Sequence, residues 1–351
     1  MIAQAQSTVR SGHRAFIATE PSATAAPAPK SQRDEGLDWV KGTLVVLMVV
    51  YHSLNYSPYS HLSFAYIGFL PVSFIFIAGF LLTNSYLARY DVKDWRLHRR
   101  LVIRGAKLLV IFTVLNVALY FVAFGHEFLD RFSDNLQLIY IGAAGHVASY
   151  PILTSIGYLL LLAPVLLVIG SRHRAVLPGL AVALVLFCSF MEWRSAVSYH
   201  LGMISAGIIG TAFGFVPLRQ ITGFARKTLV VLALYCVYRT ASYVVGEPYA
   251  LQLAGVVATL LLLYGVALKL PVGAQVFKQL VLMGRYSLLG YIMQLAFIQV
   301  AVRLFGPFAS PLAVAILTLV ALIATWSITF IVDRLRAKAR FVDVTYKAAF
   351  A

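Results

Sequence analysis

Leu37-Asp-Trp-Val-Lys-Gly-Thr-Leu-Val-Val-Leu-Met-Val-Val-Tyr-His52 opens an apolar block that continues to about residue 57. A helix crossing the hydrocarbon core of a bilayer needs about 20 consecutive, mostly apolar residues, and this stretch supplies them. Working outward, blocks of similar kind recur at 64–86, 103–124, 150–170, 175–191, 198–216, 228–245, 249–268, 284–304 and 309–332. Of the 351 residues 60% are hydrophobic and 12% charged, against roughly 25% charged in a soluble domain. An ordinary soluble core is excluded. The sequence predicts an all-α, polytopic integral membrane protein with about ten transmembrane helices.

The net charge of +16 would suggest a nucleic-acid partner in a soluble protein. Here the basic residues sit in loops between apolar blocks, where they act as topology determinants, and no nucleic acid is expected. With the N-terminus inside, inward loops carry Arg89, Lys93, Arg96, Arg99, Arg100, Arg104, Arg172, Arg174, Arg219, Arg226, Lys227, Lys269, Lys278 and Arg285; outward loops carry Arg131, Arg194 and Arg303. The basic run Asp333–Arg340 falls inside as well. Both termini are therefore expected in the cytoplasm, with the lipid bilayer as the first partner.

Residues 1–36, polar and rich in Ala, Ser and Pro, read as a disordered cytoplasmic tail with no signal peptide. Residues 37–335 form the membrane-embedded domain, and 336–351 a second cytoplasmic tail. The longest outward loop, 125–149, alternates polar residues (His126, Glu127, Asp130, Asp134, Asn135, His146) with apolar ones, which predicts a partly helical segment at the interface. Cys188 and Cys236 lie inside apolar spans, so no disulfide framework is expected. The eight histidines lack ligand spacing, and neither a metal nor a phosphate-cradling glycine loop is expected.

The chemistry concentrates on the first span. Lys41 and His52 are eleven residues apart, about 16 Å along one helical face, and Asp38 falls near that face. An ionisable group at such depth is costly to bury and usually faces a cavity or a partner. Lys41 alone reads as a snorkelling side chain.

Four segments resemble the acyltransferase-3 family of bacterial membrane O-acyltransferases, including its glucan-succinylating relatives. Leu37-Asp38-Trp39-Val40-Lys41-Gly42…His52 is similar to the family's Leu-Asp-x-x-Arg-Gly…His. Phe74-Ile-Phe-Ile-Ala-Gly-Phe-Leu-Leu82 is similar to its Phe-Phe-x-x-Ser-Gly-Phe-Leu. Arg99-Arg100…Arg104 stands where the family carries paired arginines, and Gly284-Arg-Tyr-Ser-Leu-Leu-Gly-Tyr-Ile292 is similar to its Gly-x-x-Ser-x-x-x-Tyr-Leu segment. The likeness covers about 37–335, an acyltransferase-like domain. There are departures: Lys41 replaces an Arg and loses the bidentate fork, Arg100 and Arg104 are spaced one residue wider, and Gln294 stands where many members have a His.

The resemblance implies an enzyme of the bacterial cytoplasmic (inner) membrane. It would move an acetyl, succinyl or similar group from a cytoplasmic donor, acyl-CoA as co-substrate, to a hydroxyl of an envelope glycan or glycolipid, with no bound cofactor. It implies His52 as the essential residue, suited to general-base work by its pKa. Arg99, Arg100 and Arg104 would meet the donor's phosphates, and Lys41 would line the path of the thioester arm. Asp38, Tyr51, Asn55, Asn84, Asn116, Ser155 and Tyr158 are candidate cavity residues, although buried Asn, Ser and Tyr more often bridge helices. Arg239, well inside a span, needs a partner that Glu192 or Glu247 could supply. Two rival readings remain open: a secondary transporter or lipid-linked glycan exporter, and an inactive relative that scaffolds envelope assembly.

Overall fold

Asp34 sets the start of the first helix: its carboxylate accepts the Leu37 N–H at 3.0 Å, satisfying one of the helix's orphan donors. Helix α1 (Glu35–Asn55) thus takes in the last two residues of the expected N-terminal tail. The computed structural model describes residues 34–141, 148–173, 175–194, 198–306 and 308–350, without the side chains of 63–65. The rest of the expected tail, and His146 in the outward loop, lie outside the described residues.

After α1 come α2 (Ser60–Ile67), α3 (Leu70–Leu81), a π-helical turn at Leu82–Tyr86, and α4 (Trp95–Phe124). The 125–149 loop holds two short helices, α5 (Phe128–Asp134) and α6 (Leu136–Tyr140). The chain continues through α7 (Pro151–Arg172), α8 (Val176–Trp193), α9 (Tyr199–Phe213), α10 (Leu218–Ala225) and α11 (Thr228–Val245). It ends with α12 (Tyr249–Ala267), α13 (Gln275–Arg285), α14 (Ser287–Phe305), α15 (Pro311–Lys338) and α16 (Arg340–Phe350). Among the described residues there is no strand.

Among the described residues eight helices are long and apolar enough to cross a membrane: α1, α4, α7, α8, α11, α12, α14 and α15. The short fifth block is present as α8, with Pro178 in its first turn, where a missing N–H costs nothing. Two expected spans are not single long helices. The 64–86 block breaks after Ile67 and restarts at Leu70 with Pro71 in the first turn; α3 runs on through the π-helical turn as one apolar helix, Leu70–Tyr86, still short of a full span. The 198–216 block stops at Phe213 after 15 residues, and the chain bends by 99° into α10. Gly214 and Pro217 occupy that corner. The ninth block begins late, because Gly284 and Arg285 belong to α13 and not to α14.

Burial orders the helices. About half of the apolar window is buried in α1 (56%), α7 (50%) and α12 (50%), but only 17% in α8 and α11. The outer helices show large apolar side chains, Leu229 and Val244 on α11 among them, as lipid-facing surfaces do. Between the inner helices small residues allow close approach. A Cβ on Gly79 of α3 would strike the Gly207 carbonyl of α9, and one on Gly210 would strike the Phe76 carbonyl of α3. Gly42 and Gly284 bring α1 and α13 together in the same way. The segment expected as a C-terminal tail is helical: α15 runs to Lys338, and α16 turns back against α15 and α4.

Candidate functional site

The first turns of α1 hold an ionic cluster. Asp38, 2% exposed, receives Lys41 Nζ at 2.6 Å, while Arg285 of α13 stands 4.0 Å from its other oxygen and 3.5 Å from Glu35. Helical spacing explains the first pair, since residues three apart share a face. The Gly42–Gly284 contact explains the second, because it draws Arg285 in. Lys41, expected along a thioester path, pairs here with Asp38.

Three turns along the same helix, His52 sits among aromatic rings. Its centroid is 5.2 Å from that of Tyr51 and 6.1 Å from that of Tyr291 on α14. Its Nε2 is buried without a hydrogen-bond partner, and so is the Tyr291 hydroxyl. Buried polar atoms of this kind call for an explanation, since the great majority are paired. Tyr150 meets Tyr291 edge-on at 6.1 Å and adopts left-handed backbone (φ 62°) at the entry to α7, a conformation costing about 1 kcal/mol or more for a non-glycine residue. One turn beyond Tyr291, Gln294 is fully buried with both amide atoms unpaired. Asn55 hydrogen-bonds the Tyr51 side chain.

Beside Tyr51 opens a cavity of about 740 Å³. Its polar lining includes Tyr51, Tyr199, Arg239, Glu192, Glu247 and Gln252. Arg239 finds one of its two anticipated partners: its Nη1 lies 3.4 Å from Glu247 Oε1, and the guanidinium also lies over the Tyr66 ring at 5.5 Å. Glu192 instead accepts the Tyr249 N–H at 2.8 Å.

The arginine cluster forms a separate groove of about 320 Å³ on the first turns of α4, lined by Arg96, Arg99, Arg100, Ile103, Arg104 and Lys107. Arg100 donates to the Tyr90 hydroxyl at 2.7 Å, and Arg104 donates to the Tyr86 hydroxyl in the π-helical turn. Neither the groove nor the larger cavity is lined by His52 or Lys41, so a single passage from Arg100 to His52 is not what these two spaces form.

Three candidates have other work. Asn116, 1% exposed, donates to the Phe112 and Ser149 carbonyls and accepts the Ser149 N–H, tying α4 to the approach to α7. Tyr158 donates to the Tyr140 carbonyl at 2.9 Å. Both are bridges between segments and are absent from the lining of the larger cavity. Ser155 pairs with His200 Nδ1 at 3.0 Å, a buried histidine that the sequence did not single out. Asn84 lies in the π-helical turn, part-buried. Among the described residues no group of three or more His, Cys, Asp or Glu side chains is gathered as for a metal ion.

No family model, curated protein or solved structure matches this chain.

Proposed function

We propose that this protein is a membrane O-acyltransferase that moves an acyl group from a cytoplasmic acyl-CoA to a hydroxyl of an envelope glycan or glycolipid. The observation that carries the reading is the meeting of His52 and Tyr291. Two segments that resemble the acyltransferase-3 pattern, far apart in sequence, contribute an unpaired imidazole nitrogen and an unpaired phenol to one buried site. The packing of Gly42 on Gly284 joins the same two segments.

In this mechanism His52 Nε2 takes the proton of the acceptor hydroxyl as its oxygen attacks the thioester carbonyl. The Tyr291 hydroxyl donates to the oxyanion that forms. Collapse breaks the C–S bond, and the imidazolium returns its proton to the departing thiolate. The acceptor would approach from the cavity at Tyr51 and the donor's phosphates would rest on Arg99, Arg100 and Arg104; binding of the two substrates must then open a way to His52, which lines neither space. The short helices α3 and α9 supply the remaining two of ten crossings, with both termini on the basic, cytoplasmic side of a bacterial inner membrane.

One feature favours a secondary carrier as a second reading. Two short helices, α3 and α9, pack on one another, and α9 ends in a sharp bend, as discontinuous helices do at carrier sites. Mass analysis of envelope glycans from cells with and without the protein separates the two. Ester groups that vanish with the protein support acyl transfer; an unchanged ester complement with an altered glycan location supports the carrier.

A further inference from the structure

A second cavity, of about 440 Å³, lies away from His52 among α1, α3, α9, α10 and α12. Its walls are almost wholly apolar, with Val40, Ile77, Phe80, Phe213, Ile221 and Leu261 among them. Its edge is polar. Tyr264 donates to Asp34 at 2.8 Å and lies 3.3 Å from the Thr222 hydroxyl, and Arg226 is within electrostatic reach of Tyr264.

Helix α10 forms one rim. It leaves α9 at 99°, so if α9 crosses the bilayer, α10 runs along the surface. Its sequence is amphipathic, with Leu218 and Ile221 packed on the core while Arg219, Arg226 and Lys227 at its ends are exposed. Helices of this kind lie in the interface with their basic residues among headgroups. Of the acids near the Tyr264 edge, Asp34 is engaged by Tyr264 and the Leu37 N–H, and its neighbour Glu35 pairs with Arg285 at 3.5 Å.

An apolar slot whose α10 wall is flanked in the chain by the exposed Arg219, Arg226 and Lys227 matches an amphiphile with one negative head. We infer that this groove holds an acyl chain of an anionic glycerophospholipid, its phosphate headgroup set against Arg219, Arg226 and Lys227. The inference does not depend on acyl transfer. It would stand for a carrier equally well.

The test uses the full chain purified in detergent and titrated with phosphatidylglycerol or phosphatidylcholine of identical acyl chains, with bound lipid counted by native mass spectrometry. One basic residue near an anionic headgroup is worth about fivefold in affinity, so phosphatidylglycerol is expected to be held at least tenfold more tightly. The triple variant Arg219→Gln, Arg226→Gln, Lys227→Gln, all at exposed positions, should bring the two lipids level. To locate the lipid, Phe224→Trp places an indole on the groove wall. Brominated phosphatidylglycerol should quench the added emission at concentrations where brominated phosphatidylcholine does not. Equal retention of the two lipids by the unaltered chain would overturn the inference. So would an undiminished preference in the triple variant, or an added indole that neither lipid quenches.

Discussion

Gly42 on α1 and Gly284 on α13 are in backbone contact: a Cβ on the first would strike the Leu280 carbonyl oxygen, and one on the second that of Asp38. The contact lets the two helices approach closely enough for Arg285 to reach Glu35 and the far oxygen of Asp38. Backbone cannot yield as the tip of a side chain can. Gly42→Val should therefore destabilise the protein by about 1–3 kcal/mol or more, the range for overpacking, seen as a lower thermal midpoint in detergent. Gly179→Ala on α8, where an added Cβ meets nothing within 4 Å, should leave the midpoint unchanged or slightly higher. Equal effects of the two would show that the helix contact is not tight.

Glu247 gathers three donors on one oxygen: Ser242 Oγ at 2.9 Å, Tyr238 OH at 3.2 Å and Arg239 Nη1 at 3.4 Å. Removing the carboxylate takes their shared acceptor from all three at the edge of the larger cavity. Glu247→Ala should cost about 1–3 kcal/mol, the range for losing hydrogen bonds to a charged group. Thermal unfolding in detergent checks this, and Glu247→Gln, which keeps an acceptor, should fall between.

At the other end of the chain, Asp343 ties α16 to α15. Lys347 (2.5 Å) and Arg336 (2.8 and 3.0 Å) hold its carboxyl below the usual carboxylate range. A depressed carboxyl pKa stabilises the docked state above the group's ordinary pKa, and that contribution is lost as pH falls through the lowered value. Docking of α16 should accordingly hold at neutral pH and loosen on acidification below the carboxylate range. Amide hydrogen exchange across 340–350 follows this directly, and Asp343→Asn should show the loosened exchange already at neutral pH.

Much of the architecture was legible in hydropathy. Eight of the ten apolar blocks became long helices, because a run of about 20 apolar residues without charge has few alternatives to a spanning helix. The two exceptions show what composition does not carry. In 64–86 the apolar run continues across a break marked only by Gly68 and Pro71, and in 198–216 Gly214 and Pro217 end the helix early. The glycines of α9 gain their meaning from what faces them: Gly207 and Gly210 are contact points because α3 lies there. Local spacing foretold the Asp38–Lys41 neighbourhood, and a buried cation foretold an acidic partner for Arg239. Helical spacing alone puts Gln294 one turn from Tyr291, whereas the meeting of Tyr150 with Tyr291 depends on which helices pack together, and the bridging bonds of Asn116 and Tyr158 do so for the same reason. The amphipathic α16 was hidden because its anchors, Arg336 and Tyr286, lie outside it.

Arg100 tests the donor side of the proposal. It is exposed on the first turns of α4 with Tyr90 as its hydrogen-bond partner, so its loss should leave the fold intact. Arg100→Ala should weaken acyl-CoA binding by about tenfold, the scale of one charge-assisted hydrogen bond, as measured by calorimetry in detergent. An unaltered affinity would return the cluster to a topological role.

The central claim is that an unpaired imidazole on α1, beside Tyr291, takes a proton from the acceptor. Ester content of envelope glycans, measured by mass analysis in cells whose only copy is the His52→Ala variant, tests it most directly. With the variant present in the membrane at the normal level, ester content should fall by a factor of about 100 or more, the contribution of a positioned general base. Ester content equal to that of the unaltered protein would contradict the account.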